Sequence, residues 1–274
     1  MNQLYSTIGI SKQAVHQKEY RQTIFEEKLV LLLSEVDLIR KEHPGCGLEK
    51  LYYTLTPDFI GRDQFIELFR ELGYKLSKRR NFKRTTYSSP SNYPNLIMGM
   101  KVNAPSIIWQ SDITYISVNN RFYYAVFIID VYTKKIVGYQ VSDHMRAEAN
   151  VKALSMALEH NRAPIIHHSD RGSQYVYKGY IELLLKNNCQ ISMSKSAQEN
   201  AYAERINRTI KEEYLQYWNT KDFKQLRLQV KKAVEQYNSK RIHNNLRRIS
   251  PINFEEMWIK NNIKIEFNIF ENIN

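Results

Sequence analysis

A small all-helical region followed by a larger α/β domain, with a mixed sheet flanked by helices, is the fold class this sequence predicts. Three observations carry that expectation. Up to residue 75, apolar residues recur at helical spacing. A stretch rich in Lys, Arg, Ser and Pro then interrupts the pattern. Beyond residue 104, runs of β-branched and aromatic residues alternate with helical segments, the signature of a sheet covered by helices.

In residues 1–75, Ser11 reads as the N-cap of a short helix opening Lys12-Gln13-Ala14-Val15. Leu29, Leu32, Leu33, Val36 and Ile39 give a second helix, over residues 22–41, one apolar face, and His43-Pro44-Gly45 ends it. Leu48, Leu51, Tyr52 and Leu55 mark another helix. Phe65, Leu68, Phe69 and Leu72 mark the next, closed by Gly73. Such a region suits a helix-turn-helix-like DNA reader, and equally a plain helical bundle. Residues 76–104 read as a basic linker. Lys75, Lys78, Arg79, Arg80, Lys83 and Arg84 precede Ser88-Ser89-Pro90, and no acid stands between Leu72 and Ser111.

The α/β domain is expected over residues 105–218. Strands fall at 107–117 and 121–131, joined by an Asn119-Asn120 hairpin turn, and at 134–142. A helix (147–160), a strand (165–169), a helix (180–186), a strand (190–194) and a long helix (199–217) follow. A meander and then β/α alternation implies a mixed five-stranded sheet. On the last helix Ala203, Ile206, Ile210, Tyr214 and Tyr217 form an apolar stripe, with Glu204, Asn207, Arg208 and Lys211 grouped beside it. Residues 219–274 read as a basic helical extension. Its 221–248 stretch carries nine basic residues against Asp222 and Glu235, and a last helix starts at Ser250-Pro251. Residues 263–274 suggest no element.

The net charge of +12 favours phosphate-bearing partners. No apolar run is long enough for a membrane helix, and the N-terminus lacks the basic and apolar blocks of a secretory signal. Cys46 and Cys189 are too few for a disulfide framework, so both read as reduced thiols of a cytoplasmic protein. His167-His168 lacks a neighbouring third nitrogen or sulfur ligand for zinc, and His168 is expected to pack or hydrogen-bond beside Asp170. Ser169 and Ser173 lack the Gly-x-Ser-x-Gly elbow of a serine hydrolase.

Asp112, Asp170 and Glu204 carry the chemistry. Carboxylates clustered in a core repel one another and lose hydration, so they persist where a cation neutralises them. Hard divalent ions favour such oxygen ligands. Arg208 and Lys211, following Glu204 on its helix, are placed to grip a phosphate backbone, with Lys78, Arg79, Arg80, Lys83, Arg84, Lys240 and Arg241 beyond them.

Five segments together resemble the DDE transposases of bacterial insertion sequences: Trp109-Gln-Ser-Asp112-Ile-Thr-Tyr, His168-Ser-Asp170-Arg-Gly-Ser-Gln-Tyr175, Ser192-Met-Ser194, Glu199-Asn-Ala-Tyr-Ala-Glu204-Arg and Tyr237-Asn-Ser-Lys-Arg-Ile-His243-Asn-Asn-Leu246. Within that group the sequence is similar to the second-reading-frame product of the IS-three family, whose core looks like retroviral integrase. The resemblance implies a ribonuclease H-like core in which Asp112, Asp170 and Glu204 hold two Mg²⁺ or Mn²⁺ ions. It implies cleavage and strand transfer of double-stranded DNA by a homo-oligomer, which is nucleoid-associated when acting. It also implies a helix-turn-helix-like segment before the core, matching residues 1–75, and the short N-terminus suggests that an upstream-frame helix-turn-helix protein, separate or fused, supplies further DNA-binding helices. The alternatives are a ribonuclease H-like nuclease without strand transfer, and an inactive DNA-binding regulator. Between Asp170 and Glu204 lie 33 residues, a shorter spacing than the family's usual one, and Glu199 stands where Asp is commoner.

Overall fold

The computed structural model describes residues 11–77, 93–194, 196–260 and 265–269. The chain divides into two compact units, Met1–Lys78 and Arg79–Asn274.

The first unit holds helices α1 (Lys12–Glu42), α2 (Leu48–Leu55) and α3 (Arg62–Glu71). The Ser11 hydroxyl accepts from the Ala14 N–H at 3.1 Å, as an N-cap should. The two helices expected before residue 42 are one continuous helix, because no Gly or Pro interrupts the backbone hydrogen bonds between them. Leu32, Val36, Leu51, Phe65 and Phe69 form its core, the two Phe rings stacked at 4.2 Å. Gly73, at φ 84°, ends the α3 turn in the left-handed region.

The second unit is built on a five-stranded sheet of β2 (Ile108–Val118), β3 (Arg121–Asp130), β4 (Ile136–Ser142), β5 (Ile166–Ser169) and β6 (Gln190–Met193), in the order β4-β3-β2-β5-β6. β2, β3 and β4 pair antiparallel; β5 and β6 add in parallel beside β2. Asn119 (φ 48°) and Asn120 (φ 62°) both take the left-handed conformation a tight hairpin needs.

Alternation along β3 sorts the two layers. Val126 and Ile128 pack under α4 (Glu148–His160) and α5 (Lys178–Lys186). Ala125, Phe127 and Ile129 pack under α6 (Ala201–Thr209) and α7 (Phe223–Ser239). α8 (Pro251–Ile259) and a small ribbon of β1 (Lys101–Val102) and β7 (Phe267–Asn268) close one end of the sheet around Ile97, Tyr132 and Phe254.

Several expectations are corrected here. Residues 93–104 are not linker: Ile97 and Val102 are fully buried, and the Leu96 N–H donates to Ser192 Oγ at 2.8 Å. Residues beyond 218 are not an appendage either, since Leu226, Val230, Ala233 and Tyr237 of α7 lie in the same core as β3 and α6. The expected helix over 199–217 is broken into a 3₁₀ turn, α6, a π turn at Ile210–Tyr214 and a final 3₁₀ turn. The wider π turn shifts the phase, so that Leu215 is buried and Tyr217 is 38% exposed.

Candidate active site

Two of the three expected acids are placed by strand register. Ser111 of β2 pairs with Ser169 of β5 in a parallel ladder. Asp112 is the next residue of β2 and Asp170 directly follows β5, the two strands running about 4.8 Å apart. Asp170 then enters a turn in which its Oδ1 accepts from the Gly172 N–H at 3.0 Å. A Cβ at Gly172 would sit 3.0 Å from that same oxygen, so glycine keeps the turn open for the carboxylate.

α6 brings the third acid, and its start is tied to β2. Gln110 Oε1 accepts from the N–H groups of Tyr202 (3.1 Å) and Ala203 (3.4 Å), satisfying donors of the first helical turn. Asn200 Nδ2 donates to the Ser111 carbonyl at 2.9 Å. Asn207, one turn after Glu204, donates from Nδ2 to Asp112 Oδ2 at 2.7 Å. Sequence alone grouped Asn207 with the charged residues of this face. Nothing in it marked Gln110 or Asn200 as the ties that align the helix.

The electrostatics follow from this packing. Burial pushes the Asp112 carboxyl up to about 7, with the charges of Asp170 and then Glu204 adding to the effect, against hydrogen bonds from Ile113 and Asn207. Asp170 is also raised by burial. Glu204 is exposed and leans on Arg208 at 3.6 Å, one helical turn on. As the side chains stand, no three His, Cys, Asp or Glu groups among the described residues are gathered closely enough to hold a metal ion. The acids therefore lie within one another's electrostatic field without being closed into a ligand set.

Lys211, on the π turn, is partly buried. Burial lowers its ammonium pKa, and the charges of Asp112 and Glu204 work in the opposite direction. Arg208 and Lys240 are exposed. Arg241 is not available to DNA: its side chain is 7% exposed and forks onto Glu213 with bonds of 2.7 and 2.8 Å. Lys78, Arg79, Arg80, Lys83 and Arg84 lie outside the described residues.

The histidines are structural. His167 Nε2 meets the Tyr180 hydroxyl at 2.9 Å, and His168 Nδ1 meets Ser192 Oγ at 2.8 Å. Burial pushes them down to about 3 and about 4, which keeps both neutral. Cys46 and Cys189 are both buried. Among the described residues, no helix is long and apolar enough to cross a membrane.

Two integrase core domain models match this chain, one over residues 102–198 and the other over residues 186–251. The 31 kDa protein of insertion element IS600 from Shigella sonnei is 34% identical, covering 85% of this chain and 89% of that one. The transposase for insertion sequence element IS904 from Lactococcus lactis is 32% identical, covering 88% of this chain and 99% of that one. The chain belongs to the DDE transposases of insertion sequences. A transposase of this kind is a polynucleotidyl transferase that cleaves DNA strands and transfers them, which is the reaction the site must perform. Among solved structures, the HTLV-2 integrase catalytic core domain shares 17% identity with this transposase at a TM-score of 0.48, covering 56% of this chain and 97% of that one.

Proposed function

We propose that this transposase acts through Asp112, Asp170 and Glu204 as the ligands of two divalent cations, Mg²⁺ or Mn²⁺. The observation that carries the reading is the register that sets Asp112 beside Asp170, where burial first and the charge of Asp170 second raise the Asp112 carboxyl to about 7. The donor set is all oxygen and hard, which fits such ions. Bound there, the ions would supply Lewis acidity toward the phosphodiester and toward an attacking water. Glu204 would complete the set by giving up its contact with Arg208, a change of side-chain rotamer on an exposed position. Asn207 and the Ile113 N–H fix the plane of the Asp112 carboxylate.

Arg208, Lys211 and Lys240 hold the DNA backbone in this reading, with Lys78 to Arg84 extending the contact. The first unit supplies a DNA-binding module of helix-turn-helix-like kind. Its α2–α3 connection, residues 56–61, is longer than the roughly 3–4 residues of the usual turn. Assembly as a homo-oligomer on DNA at the nucleoid, with an upstream-frame helix-turn-helix protein fused or separate, belongs to the same reading.

Asp112→Asn tests it on a labelled duplex carrying the terminal inverted repeat that flanks the gene. Cleavage and strand transfer should disappear while affinity for the duplex is largely kept. Cutting at the parental rate would show that the site lies elsewhere.

A further inference from the structure

Glu213 and Arg241 join two stretches of chain that the sequence gives no reason to connect. Glu213 lies on the π turn Ile210–Tyr214, and Arg241 lies just past the end of α7. Arg241 Nε and Nη2 donate to the two carboxylate oxygens of Glu213 at 2.8 and 2.7 Å. The ring of His243 stands against Arg241 Nη1 at 3.0 Å, and Tyr237 packs edge-on to that ring. Asn238 pins the same segment to β4 by exchanging hydrogen bonds of 2.9 Å with the backbone of Ile136.

Stability alone accounts poorly for this arrangement. A buried ion pair gains little over well-packed apolar residues of the same volume, because both charges are taken out of water. What it adds is direction, since a guanidinium fork accepts a carboxylate in one geometry. The element so held is also unusual: π turns are rare, single-turn features concentrated at functional sites. Lys211 is on that turn, two residues before Glu213 and four after Asn207, whose amide bonds Asp112, so it continues the helix face that carries Glu204 and Asn207.

We propose that the Glu213–Arg241 pair positions Lys211, holding the π turn in the one geometry that keeps this side chain on the helix face carrying Glu204 and Asn207. Arg241 is thus a positioning residue that never touches the substrate. The proposal rests on the DNA-gripping role given to Lys211 above. It also gives a reason for the Arg and His of the Tyr237-to-Leu246 segment, both of which turn inward.

The test is a double-mutant cycle on the full chain, with the terminal-repeat duplex and Mg²⁺. Replacing the pair by apolar residues, Glu213→Met with Arg241→Met, keeps the volume filled and should leave the thermal midpoint close to the parental one. The cleavage kcat should nevertheless fall about 10- to 100-fold. Adding Lys211→Ala to that variant should cost no more than Lys211→Ala alone, since both act through one ammonium group. Parental kcat in the apolar double variant, or losses that multiply, would overturn the proposal. Arg241→Lys, which keeps the charge but loses the fork, runs the same cycle if the double variant does not fold. Lys211→Ala by itself reads separately on the role of Lys211: unchanged cleavage and affinity there would remove that role.

Discussion

Asn207 Nδ2 stands 2.7 Å from Asp112 Oδ2, and the Ile113 N–H holds the other oxygen at 2.9 Å. The carboxylate is thus gripped by a helix on one side and by its own strand on the other. Asn207 Oδ1 is buried without a hydrogen-bond partner, so this amide is committed to Asp112 alone. Asn207→Ala should cost about 1 kcal/mol of stability, the worth of one such bond. Turnover should fall about 10- to 100-fold, because a ligand free to rotate is poorly aligned. Steady-state cleavage kinetics with a thermal melt read both; a stability loss with unchanged kcat would refute the orienting role.

The Glu204–Arg208 contact, at 3.6 Å between half-exposed side chains, is an ordinary i,i+4 pair. Arg208→Ala should shift stability by less than about 0.5 kcal/mol. It should lower the slope of DNA affinity against salt by about one, as the loss of one phosphate contact does. Glu204→Gln should keep affinity and lose cleavage. An unchanged salt slope for Arg208→Ala would take that residue out of the DNA path.

His167 gives the fold an acid sensitivity. Its ring is buried against the Tyr180 hydroxyl, and burial, with a smaller contribution from His168, pushes it down to about 3. An unfolded histidine protonates near pH 6.5, so the unfolded chain takes up the proton first as pH falls. The stability it contributes is therefore present above about pH 6.5 and lost progressively toward pH 3. His167→Gln should flatten urea stability against pH in that window. Parallel curves for variant and parent would contradict it.

Gly138 of β4 is in close contact with α4. A Cβ there would fall 2.3 Å from the Ala153 carbonyl oxygen and 2.8 Å from Ala157 Cβ, both on the rigid helix. Gly138→Ala should destabilise the second unit by about 2–3 kcal/mol through overpacking. A denaturation midpoint equal to the parent's would show that α4 can move aside.

Much of this was legible in the residues themselves. The hairpin Asn119-Asn120, the central run of β3 and the motifs around Asp112 and Asp170 announce themselves through local chemistry: left-handed turn formers, β-branched blocks, and acids set within or just after a strand. What stayed hidden depends on partners distant in sequence. The π turn between Ile210 and Tyr214 follows from packing against α7 and the Glu213–Arg241 pair, which no helical periodicity encodes. Arg241 looked like one more cation in a basic stretch because its acid lies on another element. β1 and β7 are two residues each, too short for any alternation to register, and each exists only through the other.

That ribbon has a consequence for biosynthesis. Lys101 and Val102 emerge from the ribosome before the five-stranded sheet is made, yet their backbone partners, Phe267 and Asn268, follow only after it. The cluster of Ile97, Val102 and Tyr132 lacks part of its cover until Phe267 and Ile269 arrive. A chain cut before Phe267 by premature termination or proteolytic trimming would keep every acid of the centre and still lack this closing seam.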